Sequence, residues 1–515
     1  MLSPPSQEKP TSSKLYCTGQ LPTRRQSSLV DLPPLGKWPS WTYHLVLIFL
    51  LVALLLRVGI ATRFPSIDYP DETFQTREPA HHIAYGNWVV TWEYRRGVRS
   101  WVFPAFLAAV MRATSWMGDG SEGYLLGIAI VLSTLSLPTI WSGILWSYRV
   151  SGCLGAVLTG CICVFWYELI YYDPRALSEV VAGHLLLPGL YLGAFDGEVS
   201  SQRKRLFTAG LLCGLAGALR FHLAPAIFLA TVCFCKRNWR ERLPAVLLGV
   251  CTPILIFGFV DAVTWSYPFH SYVENFRYNI VEDQAAVVHG VRPWYWYFEY
   301  LTLHIGPMLP LAVLGAIWRA RFLGWIALAI LIPHTLLQHK EFRFLFPLLP
   351  ILLTLAGIGL AEIVATLNAQ LSTRRARASI VAGALMFVVI TSVSLASVYP
   401  RWKKARENSL AFEELSHSPT LCGVAIVGDV YSWADYGGYT YLHRSVPIYL
   451  VPNKDQIEKL SPSFNTLVVS ERLSEQAGDF VPAKCWGLVC LYTRPGTCSP
   501  GSAEEINDAL RRRNR

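Results

Sequence analysis

His339-Lys340-Glu341-Phe342-Arg343-Phe344 places four ionisable side chains between two apolar runs, Ile326 to Leu337 before it and Leu345 to Leu360 after it. An ionised group at membrane depth costs at least a few kcal/mol, so such a cluster belongs at a helix end facing a polar cavity. The same alternation of apolar runs and short charged segments extends outward over most of the chain. Its 515 residues are 52% hydrophobic and 16% charged, against roughly 25% charged in a soluble domain. Mean hydropathy is +0.34, and several runs reach the roughly 18–20 residues that a bilayer crossing needs. The fold class read from this pattern is an all-α polytopic membrane protein.

The net charge of +10 does not mark a nucleic-acid partner. Its Lys and Arg residues fall in short clusters between apolar runs, such as Arg203-Lys204-Arg205, Lys236-Arg237 and Arg374-Arg375, as the positive-inside rule requires of cytoplasmic loops. Residues 1–40, polar and without periodic apolar positions, read as a disordered cytoplasmic tail. The run from Tyr43 to Thr62 reads as an uncleaved anchor, placing Arg63 to Ser100 outside. Further runs cover roughly 101–117, 124–147, 152–172, 178–196, 206–219, 222–235, 244–264, 298–318, 322–338, 344–365 and 378–398. The short run 101–117, with Pro104 and Arg112, is expected not to traverse, because full crossing would put Arg203–Arg205 outside. Ten to twelve spans within residues 41–400 are expected.

From Arg401 the composition becomes that of a soluble domain, expected as a small α/β unit over 401–515 on the outer face. Val424 to Val427, Val446 to Val451 and Leu467 to Val469 read as short buried strands, and Asn453 to Leu460 as a helix. Of twelve Cys, the seven from Cys153 to Cys251 lie in or beside apolar runs and read as small hydrophobes. Cys422, Cys485, Cys490 and Cys498 are disulfide candidates if this domain faces an oxidising compartment.

Four outside segments carry ionisable groups next to the membrane. The first holds Asp71-Glu72, with Gln75, Glu78, His81-His82 and Trp92-Glu93 beyond; two adjacent carboxylates suit a general base or a metal, and equally a solvated acidic turn. The second runs from Asp173 through Arg175 to Glu179, the third is Arg220-Phe221-His222, and the fourth is the cluster at 339–343. A single Arg at a helix end is usually an interface anchor, but three Arg-bearing segments on one face suit phosphate, which the planar guanidinium grips by two oxygens. Carboxylates opposite such cations fit a reaction in which a lipid phosphate leaves and a hydroxyl attacks. The chain has no GxxxxGK[ST] loop, GxSxG elbow or HExxH pair, which weighs against ATP-driven and hydrolytic chemistry.

Tyr69-Pro70-Asp71-Glu72-Thr73-Phe74-Gln75, Glu78 with His81-His82, Gly86, Thr91-Trp92-Glu93-Tyr94 and Arg99-Ser100 to Pro104 resemble the first outer loop of the lipid-linked mannosyltransferases. That family extends the glycosylphosphatidylinositol anchor and the asparagine-linked oligosaccharide precursor. His339-Lys340-Glu341-Phe342-Arg343-Phe344 is similar to its H-K-E-x-R-F motif, with Phe342 most like the branch acting third in the anchor pathway. Asn279 and Gly290 to Tyr297 look like its middle outer loop, and the resemblance covers residues 43 to about 400. Tyr69 departs from the usual His, and the segment around Tyr436-Gly437-Gly438-Tyr439 does not look like the eukaryotic enzymes' tail.

The resemblance implies a GT-C architecture with a catalytic loop at 63–100 and inverting transfer of mannose from a dolichyl or polyprenyl phosphate to a glycan or glycolipid hydroxyl. It implies Asp71 as the base, with Glu72 second or orienting the acceptor. His339, Lys340 and Arg343 would hold the donor phosphate, with Arg175 and Arg220 as weaker candidates, and Glu341 would pair with Arg343 or Lys340. Gln75, Glu78, His82, Trp92, Glu93 and Trp294 are the implied substrate contacts, although the Trp residues equally suit an interfacial aromatic belt. No cofactor is implied beyond the lipid-phosphate mannose co-substrate. A divalent metal at Asp71-Glu72 stays open, without a DxD pair to support it. The expected location is the endoplasmic reticulum membrane with a lumenal site, or a bacterial inner membrane with a periplasmic one. A lipid transporter or flippase is the alternative from another class, disfavoured by the absence of internal repeats; a non-catalytic subunit is disfavoured by the intact charged groups.

Overall fold

A segment in hydrocarbon must satisfy every backbone N–H and C=O within itself, which a helix does. The computed structural model, which describes residues 40–194, 199–236, 238–428, 432–470, 478–499 and 503–513, is mainly helical accordingly. The expected tail at 1–40 lies outside the described residues except for Ser40. Helix α1 (Ser40–Arg63) leads into a loop carrying a π-helical turn (Thr73–Arg77), α2 (Glu78–Tyr85) and α3 (Trp92–Arg96). Then follow α4 (Val102–Thr114), α5 (Glu122–Phe165), α6 (Tyr167–Tyr172), α7 (Ser178–Ala194), α8 (Val199–Leu219), α9 (Ala224–Cys235) and α10 (Trp239–Thr264). The short α11 (His270–Phe276) and α12 (Gln284–His289) precede α13 (Trp296–Ile305), α14 (Met308–Trp318), α15 (Arg321–Leu336), α16 (Leu349–Ala369) and α17 (Arg374–Val398).

Among the described residues five helices, α1, α5, α10, α16 and α17, are long and apolar enough to cross a membrane, and α13 with α14 makes a sixth bent by 104°. The ten to twelve spans expected from apolar runs exceed this number for two reasons. Runs 124–147 and 152–172 join largely in the 44-residue α5, broken only at Gly152. There φ is +64°, left-handed backbone that glycine adopts without a Cβ penalty. Other runs form shorter helices, among them 101–117, whose 13-residue α4 falls below a crossing length as anticipated. Leu47, Ile48, Leu51 and Leu55 on α1, Leu255 and Phe259 on α10, and Ile390 and Val393 on α17 stay exposed. Apolar surface of that extent suits lipid tails and not water, and the chain is a multi-pass membrane protein.

Inside this belt α7 is buried along nearly its whole length. Helices α14 and α16 meet backbone to backbone, since a Cβ at Gly359 would lie 2.1 Å from the Leu311 carbonyl oxygen. Such contacts let dispersion act at short range where no hydrophobic effect exists. Arg57, wholly buried in α1, donates to Asp173 (2.7 Å), and Asp173 also meets His184 at 3.2 Å. Asp173 thus ties α1 to α7.

The C-terminal part comprises α18 (Arg406–Ser416), β1 (Val424–Val427), α19 (Gly438–Leu442), β2 (Ile448–Val451), α20 (Ile457–Leu460), β3 (Thr466–Val469), β4 (Val481–Trp486), β5 (Val489–Thr493) and α21 (Ile506–Arg513). The strand order is β2-β1-β3-β5-β4, with β1 parallel to β2 and β3, and β5 antiparallel to β3 and β4. The three strands read from sequence form the parallel part of this five-stranded sheet. The β4–β5 hairpin escaped notice because β4 is an edge strand, largely exposed and containing Pro482, with no buried alternation to read. The helix expected over 453–460 is shorter, a 3₁₀ turn at Lys454–Gln456 and one turn of α20. Cys422 pairs with Cys498 and Cys485 with Cys490. Cys153, read as a small hydrophobe, is disulfide-bonded instead. Phe412, Val424, Tyr436, Tyr441 and Leu442 share a core with Ile67, Phe74 and Val89, so the loop after α1 packs into the C-terminal domain.

Candidate active site

Pro70 opens the helical turn that presents both carboxylates: its carbonyl accepts from the Thr73 and Phe74 amides. Asp71 and Glu72 therefore stand at a helix N-terminus, where the macrodipole favours negative charge. Neighbouring residues on a helix do not share a face, and these two diverge. Asp71 Oδ1 meets Arg343 Nη1 at 2.9 Å, whereas Glu72 Oε1 meets Arg175 at 3.4 Å and Arg77 at 3.7 Å on the other side. Glu72 is buried in that second cluster and does not line the cavity that holds Asp71. Gln75, one turn on, donates to Asp71 and to Glu93 (3.1 Å).

The Arg343 cluster forms because α15 stops at Leu336 and a 3₁₀ turn (Phe342–Leu345) precedes α16. Buried Phe342 packs on Tyr300 and His304, which turns Glu341 and Arg343 toward the polar side. Arg343 donates to Glu341 Oε2 (2.5 Å) and lies 3.3 Å from Glu179, which also pairs with Arg220. His339 contacts Glu341 at 2.9 Å and the Gly290 carbonyl at 3.1 Å. Lys340 turns away, its ammonium donating to the carbonyls of Leu337 and Arg292, and does not reach the cavity.

Asp71, Gln75, Trp92, Glu93, Arg220, His339 and Arg343, from three of the four outside segments, line one cavity of about 200 Å³. Arg99, His222, Asn275 and Asn279 line it too. It adjoins a second cavity, with which it shares Gln75, Arg99, Arg220, His222 and Asn275, that continues past Phe103, Pro104 and Phe257. Both cavities mix charged and polar side chains with apolar ones.

Electrostatics fix the charge states. Burial alone would lower the Arg343 pKa, but the carboxylates of Asp71, Glu341 and Glu179 raise it well above its usual value. Burial pushes the Glu341 carboxyl up, yet the Arg343 guanidinium and the His339 hydrogen bond hold it well below the usual range. His339 is raised because its bonds to Glu341 and Gly290 outweigh its own burial. Glu93 is raised, first by burial and then by the nearby Asp71 charge. Among the described residues no three His, Cys, Asp or Glu side chains converge as metal ligands would.

Several expected site residues lie elsewhere. Arg175 donates to the Ser66 carbonyl (2.6 Å) and joins Glu72, outside the Asp71 cavity. Glu78 is wholly buried and accepts from the amides of Val89 (2.7 Å) and Thr440 (2.5 Å), fastening α19 to the loop. Burial raises its pKa to about 7. His82 stacks on Trp88, and Trp294 is two-thirds exposed beside Tyr295 and Phe298. Arg99, quoted in the loop motif but given no role from sequence, has a buried Nε without a hydrogen-bond partner and stands where the two cavities join. The signal was present, an Arg at the end of an apolar run, the same pattern that singled out Arg220.

The chain is 27% identical over 328 residues to GPI mannosyltransferase 3 of Yarrowia lipolytica, covering 59% of this chain and 60% of that protein. It is 24% identical over 314 residues to GPI alpha-1,2-mannosyltransferase 3 of Homo sapiens, covering 57% and 54%. The match thus spans less than two thirds of either relative. Its fold is similar to that of ArnT from Cupriavidus metallidurans, solved bound to undecaprenyl phosphate: TM-score 0.58 at 13% identity, over 90% of this chain and 99% of that one. This is the GT-C architecture. The model of the Alg9-like mannosyltransferase family matches residues 46–443, past the limit near residue 400 of the motif resemblance. That span contains the Asp71 turn, the Arg343 turn and the α19 segment closing over Glu78, and the chain belongs to the Alg9-like mannosyltransferase family.

Proposed function

We propose that this protein is an inverting α-mannosyltransferase that moves mannose from a dolichyl or polyprenyl phosphate to a hydroxyl of a glycolipid acceptor, as in assembly of the glycosylphosphatidylinositol anchor. The observation that carries the reading is the 2.9 Å contact between Asp71 and Arg343 in a polar cavity that Arg99, Arg220 and His339 also line. In the transfer step the acceptor oxygen bonds to the anomeric carbon as Asp71 accepts its proton. The bond from that carbon to the phosphate oxygen breaks, and its electron pair leaves on the lipid phosphate. Arg343, Arg220 and His339, joined by Arg99, stabilise the phosphate as it departs. Single in-line displacement inverts a β-linked donor to an α-linked product. Trp92, Glu93 and Gln75 are the substrate contacts retained at the cavity; Glu93, raised by burial, suits a hydrogen bond to a sugar hydroxyl. The kinship to anchor-pathway enzymes supports the endoplasmic reticulum membrane and a lumenal site; the transporter alternative draws on no observation of its own.

The test is incubation of the purified protein with labelled polyprenyl phosphate mannose and a panel of mannosylated glycolipid acceptors. One acceptor should gain a single α-linked mannose. Failure to label any acceptor, while free lipid-linked mannose is translocated in proteoliposomes, would replace the reading with transport.

A further inference from the structure

A second cavity of about 440 Å³ lies among the end of α1, the start of α5 and helix α18, and shares no lining residue with the Asp71 cavity. Its size falls within the roughly 300–1,000 Å³ of small-molecule sites. Arg63, Arg77, Arg175 and Arg406 line it. Arg77 and Arg175 are more than nine-tenths buried, and the Nε atoms of Arg77, Arg175 and Arg406 have no hydrogen-bond partner. Among the described residues Arg77 otherwise reaches Tyr441 (3.3 Å) and Glu72 (3.7 Å). Three carboxylates face these four guanidinium groups: Glu72 behind them, Glu122, which lies 3.7 Å from His417, and Glu413. Burial, with the Glu122 charge beside it, raises Glu413 to about 7, so part of the acidic charge is absent near neutrality. The remaining wall is apolar, with Ala61, Met117, Leu125, Leu126, Ala129 and Leu410, and it begins where α1 leaves its membrane-spanning length.

We propose that this cavity binds the phosphate headgroup of an anionic membrane phospholipid, its acyl chains following Leu125, Leu126 and Ala129. Arg offers a forked donor pair to phosphate, and a low-dielectric cavity strengthens that pairing. The lipid would bridge α1 and α5 to the C-terminal domain through Arg406. The assignment does not depend on the transfer reaction, because the cavity lies on the Glu72 side of the turn and the reaction on the Asp71 side.

Native mass spectrometry of the full-length protein in detergent tests it, with phosphatidylinositol, phosphatidylcholine or inorganic phosphate added. Phosphatidylinositol should be retained about tenfold better than phosphatidylcholine, and inorganic phosphate should not displace it. Arg406→Gln and the cavity-filling Leu126→Trp should each lower retention several-fold while α-helical circular dichroism stays unchanged. Equal retention of the two lipids, or full retention in both variants, overturns the proposal. Displacement by inorganic phosphate would reduce the site to one for a free anion and overturn the lipid assignment. Retention lost in Arg343→Ala but kept in Leu126→Trp would move the lipid to the Asp71 cavity, with the same result.

Discussion

Arg343 holds the polar cavity together, with Asp71, Glu341 and Glu179 all within 3.3 Å of its guanidinium. Removing one partner of a buried ion pair costs about 3–5 kcal/mol because the others stay buried and uncompensated. Arg343→Ala should therefore lower thermal stability, and in surviving protein raise the KM for the lipid-phosphate donor more than that for the acceptor. Arg343→Lys should restore stability better than donor use, because an ammonium lacks the fork. A larger effect on acceptor KM would reassign the cluster. Asp71 has a different place, one-fifth exposed at the cavity wall. Asp71→Asn keeps the shape and loses the proton acceptor, so transfer should fall by at least the 10²–10⁴-fold typical of a general base, with a melting temperature lowered less than in Arg343→Ala, because Glu341 and Glu179 still pair with Arg343. Full activity in that variant would remove Asp71 from the mechanism.

At the scale of elements, the turn at 71–77 separates two adjacent carboxylates into two environments. The resemblance offered Asp71 as the base with Glu72 second, and helical geometry makes one a cavity wall and the other an anchor for Arg175. Packing of α14 on α16 sets how closely the flanking helices approach, because Gly315 and Gly359 leave room only for backbone. Gly359→Val would force atoms into a contact of 2.1 Å. Overpacking typically costs about 1–3 kcal/mol, so the variant should unfold at lower temperature in detergent. An unchanged melting curve would mean that α14 gives way freely.

At the scale of the molecule, the loop after α1 is closed on both sides, by membrane helices and by the C-terminal domain. His81 Nε2 lies 3.1 Å from His443 Nδ1 at that second contact. Burial, and then the neighbouring His443, lower the His81 pKa to about 4 from an ordinary 6.5, against an Asn87 bond that raises it. A histidine kept neutral on folding contributes stability that is present above pH 6.5 and lost as pH falls through 4. The difference amounts to about 3 kcal/mol. Acidification should thus loosen α19 from the loop, seen as faster hydrogen exchange at residues 438–443, and His81→Phe should flatten that profile. A profile unchanged by the substitution would place the titration elsewhere.

The sequence by itself determined that this chain lives in a membrane, which motifs carry its charge, and which of them resemble a known catalytic loop. Run length and charge spacing are local properties, and hydrocarbon imposes its demands segment by segment. The meeting of Asp71 with Arg343 across 272 positions could be anticipated from the motifs, but its partners were decided by tertiary structure. Packing excluded Lys340, enlisted Arg99, and turned Glu78 from a substrate contact into a clasp for α19. The edge strand β4 and the shared core of loop and C-terminal domain were likewise silent in the sequence. A side chain's direction depends on what packs behind it, and here that neighbour is usually far away along the chain.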